Sequence, residues 1–264
     1  MTADVKEIKK WESVEVERSA SEAKRKEAED LRISDGVIAR YQNPPEDTVY
    51  SLEYAYHLLG DVSGKTVLDY GCGLGDNSVL VASHGAKVIG VDISPELIEL
   101  AQKRLDQHNL SEKADFRVGS AHELPLTNDS VDVVFGMAIL HHLDLKLASE
   151  EVFRVLKKGG RAIFLEPVRN SKFVKFVRNL IPYEQPDVSP FERPLTDVEL
   201  QEFAAKFTNY KSRAFSLPFV NLTEILRFPD SFQHKATKID GKILQKAKFL
   251  NYYASVRVIE MTKE

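Results

Sequence analysis

The chain predicts an α/β fold organised around a parallel sheet, on three observations. From Lys65 onward, apolar runs of strand length alternate with periodic segments of helix length, the pattern of repeated βαβ units. The first of these runs reads VLDYGCGLGD, an aspartate followed by glycines at alternate positions, which is a strand entering a turn of bare backbone. The third is size: 264 residues with 43% hydrophobic content can bury the core of one such domain with appendages, but hardly of two equal ones.

The elements follow in order. Residues Val5 to Arg32 are rich in Lys, Arg and Glu, contain neither Gly nor Pro, and place Val5, Ile8 and Trp11 at helical spacing. They predict a solvated helix with a thin apolar stripe. Pro44-Pro45 breaks the pattern, and Tyr50 to Leu59 predicts a second helix that ends at Gly60. The runs KTVLDY, AKVIGVD, ADFRV, VDVVFGM and GRAIFLE then predict five strands. Between them, Asn77 to His84, Pro95 to His108 and Leu145 to Leu156 predict helices, with Pro95 in a first turn and Gly159-Gly160 after a last one. Pro182, Pro186, Pro190 and Pro194 exclude a helix and predict a loop over the sheet edge. Later strands are expected at Ser212 to Leu217 and Tyr252 to Glu260, while the periodicity of Pro218 to Leu250 assigns no element.

Composition narrows the function. A formal net charge of -4 gives no basic field to attract nucleic acid, so a small molecule is the expected partner. No apolar run approaches the roughly 20 residues of a membrane span, so no membrane partner is expected. The charged N-terminus carries no secretory pattern, and the single cysteine, Cys72, excludes an internal disulfide; a cytoplasmic protein is expected. Oligomeric state cannot be read from the chain.

The glycine turn narrows it further. A dinucleotide fingerprint has the spacing G-x-G-x-x-G, whereas Gly71, Gly73 and Gly75 give G-x-G-x-G directly behind Asp69, whose charge would repel a pyrophosphate. No G-K-[ST] follows, which excludes a Walker loop. The expected ligand is a nucleoside that lacks phosphates and carries a cation, with Asp69 facing its positive end. The second strand ends VIGVDIS, where Asp92 can accept both hydroxyls of a free ribose.

With these residues in place the sequence resembles the class I S-adenosylmethionine-dependent methyltransferases over roughly Leu58 to Pro167. VLDYGCGLG, VIGVDIS, VGSAHELPL, VDVVFGMAILHHL and LKKGGRAIFLEP are similar to that family's motifs and occur in its order. The resemblance implies a Rossmann-like, doubly wound sheet of seven strands, the last antiparallel, with helices on both faces. It also implies a division into a helical lid at 1–60 and a methyltransferase domain at 61–264, with substrate-side insertions near 168–195 and 218–250. By position, the backbone of Gly71, Gly73 and Gly75 would face the methionine part of S-adenosylmethionine, and Cys72 between them counts among the expected cofactor-binding residues. Asp92 would face the ribose, Ile93 a face of the adenine, Ser120, Ala121 and His122 its edge, and Met137 would stand on the cofactor side of the fourth strand. Ser120 departs from the family, which usually places an acidic residue there; a hydroxyl also accepts, without charge. Cys72 is expected to pack under the glycines rather than to react.

Methyl transfer is an in-line displacement, so positioning dominates and a base is optional. His141 and His142, leaving the fourth strand, are the candidate bases. Asp144 stands near them, but magnesium prefers oxygen ligands and no metal is expected. Glu166, Arg169, Tyr183 and Arg193 are candidate contacts for the methyl acceptor, and Tyr41 and Tyr50 for closure over the methionine end. GMAIL stands after the fourth strand in place of the N-P-P-[YF] of many base and glutamine methyltransferases, which favours a small metabolite. The expectation is O-methylation, with N- or C-methylation, or noncatalytic binding of S-adenosylmethionine, as alternatives.

Overall fold

The computed structural model describes residues 5–172, 192–225 and 227–264. Among them seven strands form one mixed sheet: β1 (Thr66–Tyr70), β2 (Lys87–Asp92), β3 (Ala114–Val118), β4 (Val131–Met137), β5 (Leu156–Pro167), β6 (Thr208–Phe215) and β7 (Val256–Thr262). Their order is β3-β2-β1-β4-β5-β7-β6. The first five run parallel, and β7 runs antiparallel to both β5 and β6. The seven-stranded, doubly wound sheet expected from the motifs is therefore present.

The parallel strands are continuously apolar because helices cover both of their faces. Successive residues of a strand point to opposite sides, and β1 divides the core accordingly. Val67 packs with Val133, Phe135 and Ile163 under α3 (Ser51–Leu59) and α4 (Asp76–Ser83). Leu68 packs with Val134 and Phe164 under α6 (Leu145–Val155) and α7 (Asp197–Phe203). Helix α5 (Pro95–Gln107) begins with Pro95 after Ser94, whose side chain accepts the Leu97 N–H as an N-cap.

The N-terminal segment differs from the solvated helix expected. Helix α1 (Val5–Lys26) stops well before Arg32, and Ala23 and the following Leu31 pack on Leu97 and Leu100 of α5. A short helix, α2 (Asp35–Gln42), follows under a Ser34 cap; eight residues carry too little periodicity to be read from sequence. Gly159 and Gly160 do not terminate a helix. They lie within β5, with Gly159 at φ +79° beside a register shift between β4 and β5. Strand β6 begins at Thr208, and β7 begins only at Val256 because Lys248–Tyr253 forms a 3-10 turn. The segment without sequence assignment folds as α8 (Pro218–Ile225) and α9 (Asp230–Lys246).

Candidate functional site

Strand order reverses direction between β1 and β4, where connections leave on opposite faces and a crevice opens beyond the carboxyl ends. A cavity sits there. Its sheet side is formed by Tyr70 and Gly71 after β1, Asp92 and Ile93 after β2, and Ala138 and Ile139 after β4; its other wall is α1, through Ile8, Trp11, Glu12, Glu15, Ser19 and Glu22.

Asp92 is held by backbone. Its Oδ2 accepts the Gly73 N–H at 2.9 Å and its Oδ1 the Ser94 N–H at 3.0 Å, which fixes the carboxylate while leaving each oxygen a further lone pair. Burial raises its pKa, against those same N–H groups. Gly73 adopts φ +50°, and a Cβ there would meet no heavy atom within 4 Å, so the bare backbone faces open space. Gly71 and Gly75 are bare for another reason. A Cβ on Gly71 would lie 2.7 Å from Ile139 Cδ1, and one on Gly75 2.9 Å from Ala101 Cβ, so the missing side chains of these two glycines admit protein neighbours; Gly71 still lines the cavity, whereas Gly75 is not part of the described wall.

Asp69 also departs from its expected place. It is 1% exposed, sits behind the turn, and accepts the Ser78 hydroxyl of α4 at 2.6 Å rather than facing the cavity. Burial, followed by repulsion from Asp92 and Asp76 and opposed by Ser78, pushes its pKa up to about 7.

At the far end of the cavity, Glu12 of α1 accepts the Ser120 hydroxyl at 2.5 Å and the His122 Nδ1–H at 3.1 Å. The other ring nitrogen of His122 accepts the Asp144 N–H at 3.0 Å, which fixes the tautomer. The His122 contact, against burial, holds the Glu12 carboxyl below its usual range. A carboxylate thus stands beside Ser120 after all, delivered by the N-terminal helix. Sequence spacing could not reveal it, because 108 residues separate the pair.

Where β4 ends, Ala138 takes φ +54°, a left-handed conformation unfavourable for a residue with a side chain. The bend aims the N–H groups of Ile139 and Leu140 at Glu166 Oε1, 2.9 and 2.8 Å away, and His141 Nδ1 contacts Glu166 Oε2 at 2.9 Å. Glu166 is fully buried and spent on this mount, so it holds the turn instead of contacting an acceptor, as the sequence suggested. Of the two neighbouring histidines, His142 lines the cavity, its ring 4.1 Å from that of His141. Burial, with repulsion from His141 and Arg18, lowers its pKa to about 3, so it is neutral throughout the physiological range. Beside it, burial raises the Glu15 carboxyl although Arg18 pairs with it at 2.7 Å. Glu15, His142 and Glu192 bring one ligand atom each within 4.8 Å of one another, and Arg18 already supplies the cation, bonding Glu192 at 2.5 Å.

Among the described residues, carboxylates of Glu12, Glu15, Glu22 and Asp92 line the cavity and no lysine or arginine does. Such a field favours a cationic ligand and opposes phosphates. The model of a methyltransferase domain family matches residues 61–247. The chain belongs to that family. Its strand order and motifs are those of a class I S-adenosylmethionine-dependent methyltransferase.

Relatives of this methyltransferase include the demethylmenaquinone methyltransferase of Lactococcus lactis subsp. lactis, 34% identical over 47% of this chain and 53% of that protein. The ajmaline N-methyltransferase of Rauvolfia serpentina is 29% identical over 63% of this chain and 54% of its own. The chain spans about half the length of these curated relatives. Among solved structures, geranyl diphosphate C-methyltransferase from Streptomyces coelicolor A3(2), in complex with Mg2+, geranyl diphosphate and S-adenosyl-L-homocysteine, shares the fold. Its TM-score is 0.58 at 18% identity, over 80% of this chain and 76% of that one.

The remaining expected residues of the methyltransferase are dispersed. Ile93, Ala121 and His122 line the cavity. Met137 packs against the core on the α3 side. Cys72 is buried, its thiol pKa raised by that burial, and the bare face of Gly90 leaves room for its sulfur. Arg193 pairs with Glu199 at the surface, and Arg169 donates its N–H to the Leu195 carbonyl; neither lines the cavity. Tyr41 packs at a tilt against Tyr56 and Tyr50 lies edge-on to His234, which corrects their expected closure over the site. Tyr183 and most of the proline-spaced loop lie outside the described residues.

Proposed function

We propose that this protein transfers the methyl group of S-adenosylmethionine to an oxygen of a small molecule held under helix α1. The observation that carries the reading is Asp92: a backbone-fixed carboxylate at the switch point, with open space at Gly73 beside it and no cationic side chain on the described cavity wall. The residues fit the group. Asp92 would hold the ribose hydroxyls, Ile93 a face of the adenine, and Ala121 and His122 its edge, with Glu12 offering an acceptor to an exocyclic amine. Bound there, S-adenosylmethionine supplies an electrophilic sulfonium methyl group.

The chain's own part is positioning, exclusion of water and custody of one proton. Helix α1 forms the wall of the crevice opposite the sheet, which favours a metabolite over a polymer as the acceptor. Glu15, whose pKa is raised by burial, stands beside His142 at the β4 turn and can take the proton that a hydroxyl acceptor loses, while His142, its pKa lowered to about 3, stays neutral and can only orient the hydroxyl by a hydrogen bond. Glu166 and His141 act behind them by fixing the turn. The named relatives include a demethylmenaquinone methyltransferase and an ajmaline N-methyltransferase, so the acceptor atom is decided by experiment. Incubation with methyl-labelled S-adenosylmethionine and a metabolite extract should yield a labelled methyl ether or ester. A labelled amine or hydrocarbon would move the reading to N- or C-transfer, and binding of the donor without labelled product would make the protein a sensor.

A further inference from the structure

None of the described residues between β6 and β7 lines the cavity, yet the surface of this segment differs from the rest of the described chain in two respects. Of the ten large apolar side chains exposed among the described residues, seven lie between Phe219 and Tyr253. They include Phe232, Ile239 and Phe249, the last 76% exposed, and such clustering marks an interaction surface rather than scattered exposure. Charge is the second. Residues 227–253 hold six bases, Arg227, Lys235, Lys238, Lys242, Lys246 and Lys248, against Asp230 and Asp240, a surplus of four in a chain of net charge -4. Asp240 does not offset them at the surface, because it is buried and accepts the Leu217 N–H at 3.0 Å.

Helix α9 arranges the two features together. Ala236, Asp240 and Leu244, four residues apart, form its buried face. The opposite face carries Lys235, Lys238, Lys242 and Lys246 at intervals of three and four, with Phe232 and Ile239 seven apart among them. None of these lysines makes an ion pair among the described residues. Unneutralised ammonium groups interleaved with exposed rings suit a boundary that is anionic outside and apolar just beneath. A soluble acidic protein would satisfy the charges but not so many apolar side chains.

We propose that the outer face of α9, with the 3-10 turn that follows it, docks on an anionic lipid bilayer and lies in its interface without spanning it. The lysine stems extend along the apolar side chains while their heads meet lipid phosphates, and Phe232, Ile239 and Phe249 enter the headgroup boundary. The expectation of no membrane partner rested on the lack of a span, and indeed no described helix is long and apolar enough to cross a membrane. Interfacial docking needs none. Position gives the surface a use. The segment joins the end of β6 to the start of β7, where Phe215 pairs with Val256 and Val256 with Pro167, so it lies at the same sheet edge as the cavity. The Tyr252 hydroxyl ties the 3-10 turn to the Asn170 carbonyl just past β5. A docked bilayer would therefore face the cavity end of the sheet and present a lipid-soluble acceptor; this last step rests on the methyl-transfer reading, whereas the docking does not.

The test is sedimentation of the full chain with vesicles of phosphatidylcholine alone and of phosphatidylcholine mixed with phosphatidylglycerol. Binding to the mixed vesicles only is expected, weakening as salt rises. Replacing Lys235, Lys238, Lys242 and Lys246 together by Gln should weaken it by about 100-fold or more. Replacing Phe232, Ile239 and Phe249 by Ser should weaken it by about tenfold or more. All seven positions are exposed, so both variants should keep the wild-type melting temperature and the wild-type calorimetric affinity for S-adenosylhomocysteine. No sedimentation with anionic vesicles, equal sedimentation of variants and wild type, or binding to heparin without binding to vesicles would each overturn the docking. Vesicle binding by a chain that fails to bind S-adenosylhomocysteine would sustain it and refute only the methyl-transfer reading.

Discussion

Asp69 and Asp92, two aspartates at adjacent strand ends, have opposite surroundings and should be separable by experiment. Asp92 stands in the cavity wall with two backbone N–H donors. Asp92→Ala removes the carboxylate proposed to accept two ribose hydroxyls and should cost roughly 2 to 4 kcal/mol of cofactor binding, read by calorimetry, with little change in melting temperature. Unchanged affinity would remove Asp92 from the site. Asp69 is shut behind the turn, and its folded pKa of about 7 exceeds the ordinary 3.8. The native state therefore holds that proton more tightly than the unfolded chain. Its contribution to stability is full below about pH 4 and is lost as pH rises to about 7, on the order of 4 kcal/mol. His142 works in the other direction, since its lowered pKa makes stability fall as pH drops from about 6.5 to about 3. Denaturant melts of wild type and Asp69→Asn across this range separate the two: the stability of wild type relative to the variant should fall as pH rises from about 4 to about 7, and parallel curves would show that Asp69 ionises normally.

The elements were legible from sequence in proportion to how completely burial dictates them. Strands β1, β2, β4 and β5 announced themselves because covered parallel strands must be apolar on both faces, and Ser94-Pro95 marked the start of α5. Of the residues expected to face a cofactor, Gly71, Asp92, Ile93, Ala121 and His122 line the cavity, and the motifs that marked them are readable for a related reason. Backbone contact demands glycine, and ribose contact demands a carboxylate at a strand end. The opposite wall was not legible. Its residues Glu12, Glu15 and Glu22 look like ordinary solvated charges on a helix, and only the docking of Ala23 and Leu31 on α5 turns them inward. The glycine pair in β5 and the short helix α2 were missed because a bulge and an eight-residue helix leave no distinctive period. Deleting residues 1–26 should therefore do more than trim a decoration. It removes one wall of the cavity and the Glu12 contacts to Ser120 and His122, and should weaken binding of S-adenosylhomocysteine by at least about tenfold. The sheet core, which α1 does not enter, should still melt cooperatively. Equal affinity in the truncated chain would mean that α1 is not part of the site.

At the scale of the whole molecule, the strand order places every contributor to the cavity at one sheet edge. The reversal between β1 and β4 opens the crevice, β5 supplies Glu166 to brace the β4 turn, and α1 closes over the top. The sign of the cavity follows from this assembly, since carboxylates from α1 and β2 converge without a lysine or arginine on the described wall. That sign is the central claim, because it separates a sulfonium nucleoside from a phosphate-bearing one on the same kind of fold. The most direct measurement is calorimetric titration of the full chain with S-adenosylmethionine and, separately, with NAD. The account predicts saturable binding of S-adenosylmethionine and no heat of binding for NAD; NAD bound as tightly as the methyl donor would contradict it.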